Sequence, residues 1–216
     1  MTNFKYDAIL YDLDGTLIDS VPVILQSFRQ AYVERFGECT RTDDDFKSFI
    51  GKPLKTTFEM HGDDLAEELV KIYLDINCKM LAEDKVDLFP TVMEGLLKLK
   101  ELGVKQGIVT SKKRASAMIT VKLKGFEEIF DDFVFFEDSP KHKPDAAPIL
   151  TACERFGIKD PSRVLYVGDA LPDALCAKNA GCDFALVDWS AMDREEIQNS
   201  VKTIIIKSLC ELSCII

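Results

Sequence analysis

The chain has 216 residues, 47% of them hydrophobic and 30% charged, with a formal net charge of −10. This is the composition of a globular protein with room for one large core, or for one core and a smaller unit. The acidic balance excludes a general nucleic-acid binder, which needs a basic footprint for the phosphate backbone, and no apolar run reaches the length of a membrane span.

The seven cysteines include no Cys-x-x-Cys pair. Residues 1–7 have neither the basic start nor the apolar stretch of a signal peptide, so a reducing cytoplasm is the expected setting.

In chain order, Ala8–Tyr11 reads as a first strand that runs straight into Asp12-Leu13-Asp14-Gly15-Thr16-Leu17. Side chains two apart on extended chain point the same way, so both carboxylates face one spot beyond the strand end. Like charges that close oppose each other's ionisation. The pair adds nothing to a fold and suits a metal-dependent active site. Alone, the segment also fits a plain Asp turn with Gly at positive φ, or a piece of a calcium loop. A calcium loop needs further oxygen ligands and a Glu at fixed downstream positions, whereas Thr16, Leu17 and Ile18 follow here.

From about Ser20 to Asp84 the pattern is helical only. Val21, Ile24, Leu25, Phe28, Tyr32 and Phe36 keep helical spacing up to Gly37. Asp43–Phe49 and Leu54–Met60 are shorter candidates, separated by Gly51-Lys52-Pro53. Leu65, Leu69, Ile72, Tyr73, Ile76 and Met80 mark a later helix. These predict a small helical bundle inserted between the first strand and the rest of the sheet, with its ends near Leu17 and Leu88 close together. Such an insert can hinge over Asp12 and Asp14. The expected division is residues 1–17 and 87–216 for the α/β core and residues 18–86 for the helical cap. Within the cap, Lys52 either meets a second anionic group of a substrate or is an ordinary surface lysine. His61, before Gly62, reads as a partner of a helix C-terminal dipole.

Beyond the insert the pattern alternates. Strands are predicted at Gly107–Thr110, Phe133–Phe136, Val164–Val167 and Phe184–Val187. Met93, Leu96, Leu97 and Leu102 stripe one helix; Ile149, Leu150, Cys153 and Phe156 stripe another, with Pro148 near its start. Alternating βα units imply an α/β fold with a parallel sheet covered on both faces. Trp189 reads as packing at the core edge. The tail Thr203–Ile216 reads as an edge strand and a docked helix, with Cys210 and Cys214 in core packing. A monomer is expected, with a dimer patch on the tail aliphatics as the alternative.

Ligands of open α/β sheets bind beyond the carboxyl ends of the strands. At that edge this chain places Asp12-Leu13-Asp14, Thr110-Ser111-Lys112-Lys113, Lys141-His142-Lys143-Pro144 and Gly168-Asp169-Ala170-Leu171-Pro172-Asp173. Each has a bland reading: Ser111 as a helix N-cap, Lys143 as a solvated lysine, Asp169 and Asp173 as caps. His142 reads as a loop residue. Together they supply carboxylates, a hydroxyl near a helix N-terminus and lysines, an inventory that suits a divalent metal and a phosphate.

These segments resemble, in order and across essentially the whole chain, the motifs of the haloacid dehalogenase-like hydrolases. The helical insert resembles the cap of the subgroup holding phosphoglycolate phosphatase, β-phosphoglucomutase and a bacterial inorganic pyrophosphatase. Gly107–Arg114 and Lys122–Gly125 look closest to the phosphoglycolate phosphatase and pyrophosphatase branches. The resemblance implies a Rossmann-like doubly wound sheet with an inserted helical cap, and Mg²⁺-dependent hydrolysis of a small phosphorylated metabolite. It implies Asp12 as nucleophile and Asp14 as the acid and base. Ser111, with the backbone N–H of Lys112, would meet the phosphoryl oxygens. Lys143 would neutralise Asp12 and the phosphate; Asp12, Asp169 and the carbonyl of Asp14 would hold the metal, and Asp173 would support the metal shell through water or a hydrogen bond. Asp14 argues against a dehalogenase, whose halide leaving group needs no proton. Phosphoglycolate phosphatase-like activity is the leading expectation; pyrophosphatase, phosphomutase and a catalytically silent binding protein are the alternatives.

Overall fold

The computed structural model describes residues 4–50 and 53–216. In chain order the first elements are β1 (Ala8–Tyr11), β2 (Ile18–Asp19), α1 (Val21–Phe36), α2 (Asp43–Lys47), α3 (Leu54–Phe58) and α4 (Asp63–Ala82). Next come β3 (Asp87–Leu88), α5 (Val92–Glu101), β4 (Lys105–Val109), α6 (Arg114–Leu123), β5 (Asp132–Val134) and α7 (Ala147–Phe156). The chain then forms β6 (Val164–Gly168), α8 (Leu171–Ala180), β7 (Asp183–Val187), α9 (Arg194–Ser200) and β8 (Thr203–Ile206).

Six strands form one sheet in the order β5-β4-β1-β6-β7-β8, and every neighbouring pair is parallel. This is the parallel α/β sheet that the alternating pattern predicted, in the doubly wound arrangement that the family resemblance implied. Period-two alternation splits each strand between two cores. Ile9, Tyr11, Leu165 and Val167 pack with α5, α6 and the helical segment. Leu10, Val164 and Tyr166 pack with α7, α8 and α9 on the other face. The chain leaves β1 for β4 and β5 on one side and later returns to β6 on the other. The order therefore reverses at β1, where a crevice opens beyond the carboxyl ends of the strands.

The helical segment is built around rings. Phe28 of α1 is buried with its centroid 5.4 Å from both Phe46 and Phe49, 5.6 Å from Phe58 and 4.5 Å from Tyr73. Truncating so central a ring removes its transfer free energy and leaves a cavity the neighbours cannot fill. Phe28→Ala is expected to lower unfolding free energy by about 3–5 kcal/mol, read from the denaturant midpoint at unchanged slope. A loss under about 1 kcal/mol would show that the segment does not depend on this cluster.

Several elements differ from the sequence expectation. The helix expected over Leu54–Met60 stops at Phe58 and tightens into a 3₁₀ turn at Glu59–His61. The tail forms the edge strand β8, but Leu209–Cys214 is 3₁₀ rather than α-helical. The paired β2 and β3, with Ile18 opposite Leu88 and Asp19 opposite Asp87 in an antiparallel ribbon, were not foreseen. All seven cysteines are free thiols. Among the described residues no helix is long and apolar enough to cross a membrane.

Candidate active site

The crevice at β1 gathers most of the residues singled out from sequence. The Asp12 N–H donates to the Val167 carbonyl at 2.9 Å, extending the β1–β6 ladder by one rung and fixing Asp12 at the strand mouth. The chain then turns tightly through Gly15, at φ +80°, where a Cβ would collide with the Asp169 carboxylate. Gly168 is close-packed in the same way: a Cβ there would lie 2.6 Å from that of Asp173. The missing side chain of Gly15 lets the β1 loop approach Asp169, and that of Gly168 lets the first turn of α8 fold back on the end of β6.

Asp12, Asp169 and Asp173 are all buried and each offers a carboxylate oxygen within 4.8 Å of the others. Lys143, also buried, donates to Asp12 Oδ1 at 2.8 Å and to Asp173 Oδ1 at 2.7 Å. Its ammonium lies 5.2 Å from the centre of the Tyr166 ring. The Tyr166 hydroxyl donates to the Val109 carbonyl at 2.9 Å and lies 3.2 Å from Asp173 Oδ1. Asp173 also accepts from the N–H groups of Asp169 and Ala170, so it serves the start of α8 and the cluster at once. Thr16 Oγ1 donates to Asp169 Oδ1 at 3.2 Å. Ser190 Oγ donates to the Asp169 carbonyl, and Trp189 Nε1 to the Thr16 carbonyl at 3.2 Å.

Burial dominates the electrostatics. It pushes the Asp12 carboxyl up to about 7, against the pull of Lys143 and with added repulsion from Asp173 and Asp14. Burial, reinforced by the Asp173 and Asp12 charges, pushes Asp169 well above the carboxylate range. Burial alone would favour loss of the Lys143 proton, but the Asp12 and Asp173 carboxylates outweigh it and hold the ammonium charged. With all three buried carboxylates ionised, the single ammonium would leave negative charge over, so a bound cation would favour their ionised forms.

Asp14, Ser111 and Lys112 line the same cavity as this cluster. The Asp14 carboxylate stands outside the carboxylate trio, gripped by Lys112 Nζ at 2.9 and 3.1 Å. The backbone N–H of Lys112, expected to meet a phosphoryl oxygen, donates to Thr110 Oγ1 at 3.1 Å instead. Ser111 is not a helix cap, because α6 starts at Arg114 with Lys113 as its N-cap. Lys52 lies outside the described residues. His61 sits at the end of its 3₁₀ turn, with Nε2 2.8 Å from the Tyr32 hydroxyl. His142 stacks on Phe136 at 3.7 Å.

The cavity encloses about 320 Å³. One wall comes from the strand-end loops; the other comes from α1, α3, α4 and the chain around Phe49 and Pro53. Sequence reasoning missed Thr16 as a support of Asp169, the Tyr166 ring under Lys143, and the Lys112 side chain as Asp14's partner. For Lys112 a signal was present, a lysine at the exit of a strand beside β1; for Tyr166 there was none beyond its place in an apolar strand.

The sequence profile described as haloacid dehalogenase-like hydrolase matches residues 9–187. The pyrophosphatase PpaX of Bacillus velezensis is 36% identical over 190 residues, covering 88% of this chain and 87% of that one. The pyrophosphatase PpaX of Bacillus pumilus is 30% identical over 217 residues, covering 100% and 99%. Among solved structures, a haloacid dehalogenase-like family hydrolase from Streptococcus pneumoniae superposes with a TM-score of 0.83 at 25% identity, covering 97% of this chain and 98% of that one.

Proposed function

This chain belongs to the haloacid dehalogenase-like hydrolases, and from that premise we propose that it is a Mg²⁺-dependent phosphatase that cleaves a small organic phosphate through a phosphorylated Asp12. The observation that carries the proposal is the buried cluster at the β1 switch point, where Lys143 joins Asp12 to Asp173 with Asp169 in reach.

The donor set fits the metal. Mg²⁺ prefers hard carboxylate oxygens and few protein ligands, and Asp12, Asp169, Asp173 and the Asp14 carbonyl would hold it. Bound there, it would neutralise phosphoryl charge as a Lewis acid. The protein's own residues do the rest. A carboxylate oxygen of Asp12 forms a bond to phosphorus as the bond to the leaving oxygen breaks. Asp14 gives that oxygen a proton. Asp14 then takes a proton from water, which attacks phospho-Asp12, releases phosphate and regenerates Asp12. Splitting one hard displacement into two easier ones is the gain of covalent catalysis. Ser111 donates to a phosphoryl oxygen, while Lys143 holds Asp12 in line and offsets charge. A lysine–phosphate contact at ~4 Å contributes about 4 kcal/mol at an effective dielectric near 20, before desolvation. Lys112, Lys113 and Lys143 line the cavity, but so do Asp12, Asp14, Asp169 and Asp173, and a bound cation would be needed to make the site attractive to an anion in a chain of net charge −10.

Inorganic pyrophosphate is the second reading, favoured by the names of the Bacillus relatives; its anhydride phosphorus would pass through the same two displacements.

The test is hydrolysis of nitrophenyl phosphate with Mg²⁺ and after chelation. Chelation is expected to lower turnover at least ~100-fold, the scale of several kcal/mol of charge stabilisation, and added Mg²⁺ to restore it. Turnover indifferent to chelation would remove the metal from the proposal. Binding of phosphate compounds with no hydrolysis would favour a silent binding protein.

A further inference from the structure

The half of the cavity facing the carboxylates is apolar in a way the chemistry of the site does not require. Ile50, Leu54, Val70 and Leu74 line it and are only half-buried: each packs against the core of the helical segment on one side and leaves part of its surface to the cavity on the other. Val70, Leu74 and Asn77 form one stripe of α4 at helical spacing. A neighbouring stripe, Leu69, Tyr73, Ile76 and Met80, is buried. The helix thus turns Val70 and Leu74 toward the cavity, with Tyr73 of the buried stripe and Asn77 also reaching its lining.

Polar residues on this wall are turned inward. Thr57 Oγ1 donates to the Leu54 carbonyl at 2.7 Å, and Asn77 Nδ2 to Ser27 Oγ at 3.1 Å. Among the described residues of this wall the cation is Lys55, and its ammonium is 3.0 Å from Glu67. Across the cavity stands Phe136, its ring backed by His142. Charge and metal-binding oxygens therefore sit on one side of a cavity whose other side offers aliphatic and aromatic surface.

We infer that the substrate is an amphiphilic phosphomonoester: a phosphate on an alkyl or aryl body that is buried against Ile50, Leu54, Val70 and Leu74. The inference rests on the phosphatase reading and narrows it. A second phosphate, or a carboxylate as short as that of phosphoglycolate, would face Ile50, Leu54, Val70 and Leu74, which among the described residues of this wall offer it no hydrogen bond in exchange for its hydration. An alkyl body gains there at each carbon removed from water.

The test is kcat/KM, with Mg²⁺, for n-alkyl phosphates from methyl to hexyl, alongside phenyl phosphate, phosphoglycolate and pyrophosphate. The alcohols released are of near-equal basicity, so the series varies burial while holding the chemistry constant. The expected result is a rise of about fourfold per methylene, equivalent to ~0.8 kcal/mol, through at least butyl. Butyl and phenyl phosphate are expected to exceed phosphoglycolate and pyrophosphate at least ~10-fold.

Leu54→Asn and Leu74→Asn should flatten the rise per methylene, and a rise that survives both variants overturns the assignment of the wall. Should either variant fail to fold, the wild-type series alone decides. A flat series, or pyrophosphate or phosphoglycolate at the top, overturns the inference and leaves a phosphatase standing. Failure to hydrolyse any of these compounds overturns the phosphatase reading itself.

Discussion

Asp12→Asn lowers kcat by about 10⁴- to 10⁶-fold, the scale on which enzymes lose rate with their covalent nucleophile, and no phosphorylated protein accumulates. The substitution keeps the shape of the side chain, so the Asp12 N–H remains on the Val167 carbonyl and the fold is expected to persist. An amide nitrogen cannot attack as a carboxylate oxygen does, and Asn cannot form the acyl phosphate. In wild type, burial lifts the Asp12 carboxyl to about 7, so Lys143 and a bound cation must both favour the ionised form that reacts. The checks are steady-state turnover of nitrophenyl phosphate and acid-quenched labelling from a labelled phosphate donor. Turnover of Asp12→Asn within tenfold of wild type would eliminate Asp12 as nucleophile.

Lys143→Met destabilises the metal-free protein by about 3–5 kcal/mol, because breaking a buried ion pair from one side leaves charge without compensation. Methionine retains much of the lysine stem, so the loss reports charge more than volume. The missing ammonium had been donating to both Asp12 and Asp173 at 2.7–2.8 Å in a buried site. Mg²⁺ is expected to recover part of the loss, since a ligand that binds only the native state stabilises it by mass action. Urea unfolding with and without Mg²⁺ separates the two contributions. A loss below about 1 kcal/mol in metal-free buffer would mean that the carboxylates protonate without penalty, and would remove Lys143 as the electrostatic centre of the site.

The legible parts of this molecule were those written in short range. An apolar run ending in Asp12-Leu13-Asp14 identifies a strand and the end at which its carboxylates emerge, because period two acts over a few residues. The same holds for β6 and its Gly168–Asp173 exit. Ser111 shows where that legibility stops. Sequence marks a junction between strand and helix but not how many residues the turn consumes, and here α6 begins three residues later, at Arg114. The Lys112–Asp14 pair joins residues 98 positions apart, so only the sheet order brings them together. Helical spacing marked Phe28, Tyr32 and Tyr73 as core residues, yet periodicity says nothing about which rings meet. α9 was missed because only Ile197 of its seven residues is buried, too few for any repeat to show. The two-residue β2 and β3 are shorter than any pattern could reveal.

That small ribbon has a consequence for how the chain is assembled. With Ile18 across from Leu88 and Asp19 across from Asp87, everything from residue 20 to residue 86 occupies the place of the connecting loop in a β-hairpin. Two antiparallel strands in register can be joined by a two-residue turn. By turn geometry alone, Asn-Gly could link Asp19 directly to Asp87 with the ribbon in its present register, although the sheet face that packs on the segment would then lose its cover. The aromatic bundle and its apolar cavity wall are thus the contents of an oversized turn, and any insert put in their place would leave the threading of the sheet unchanged but would have to cover the same face of it.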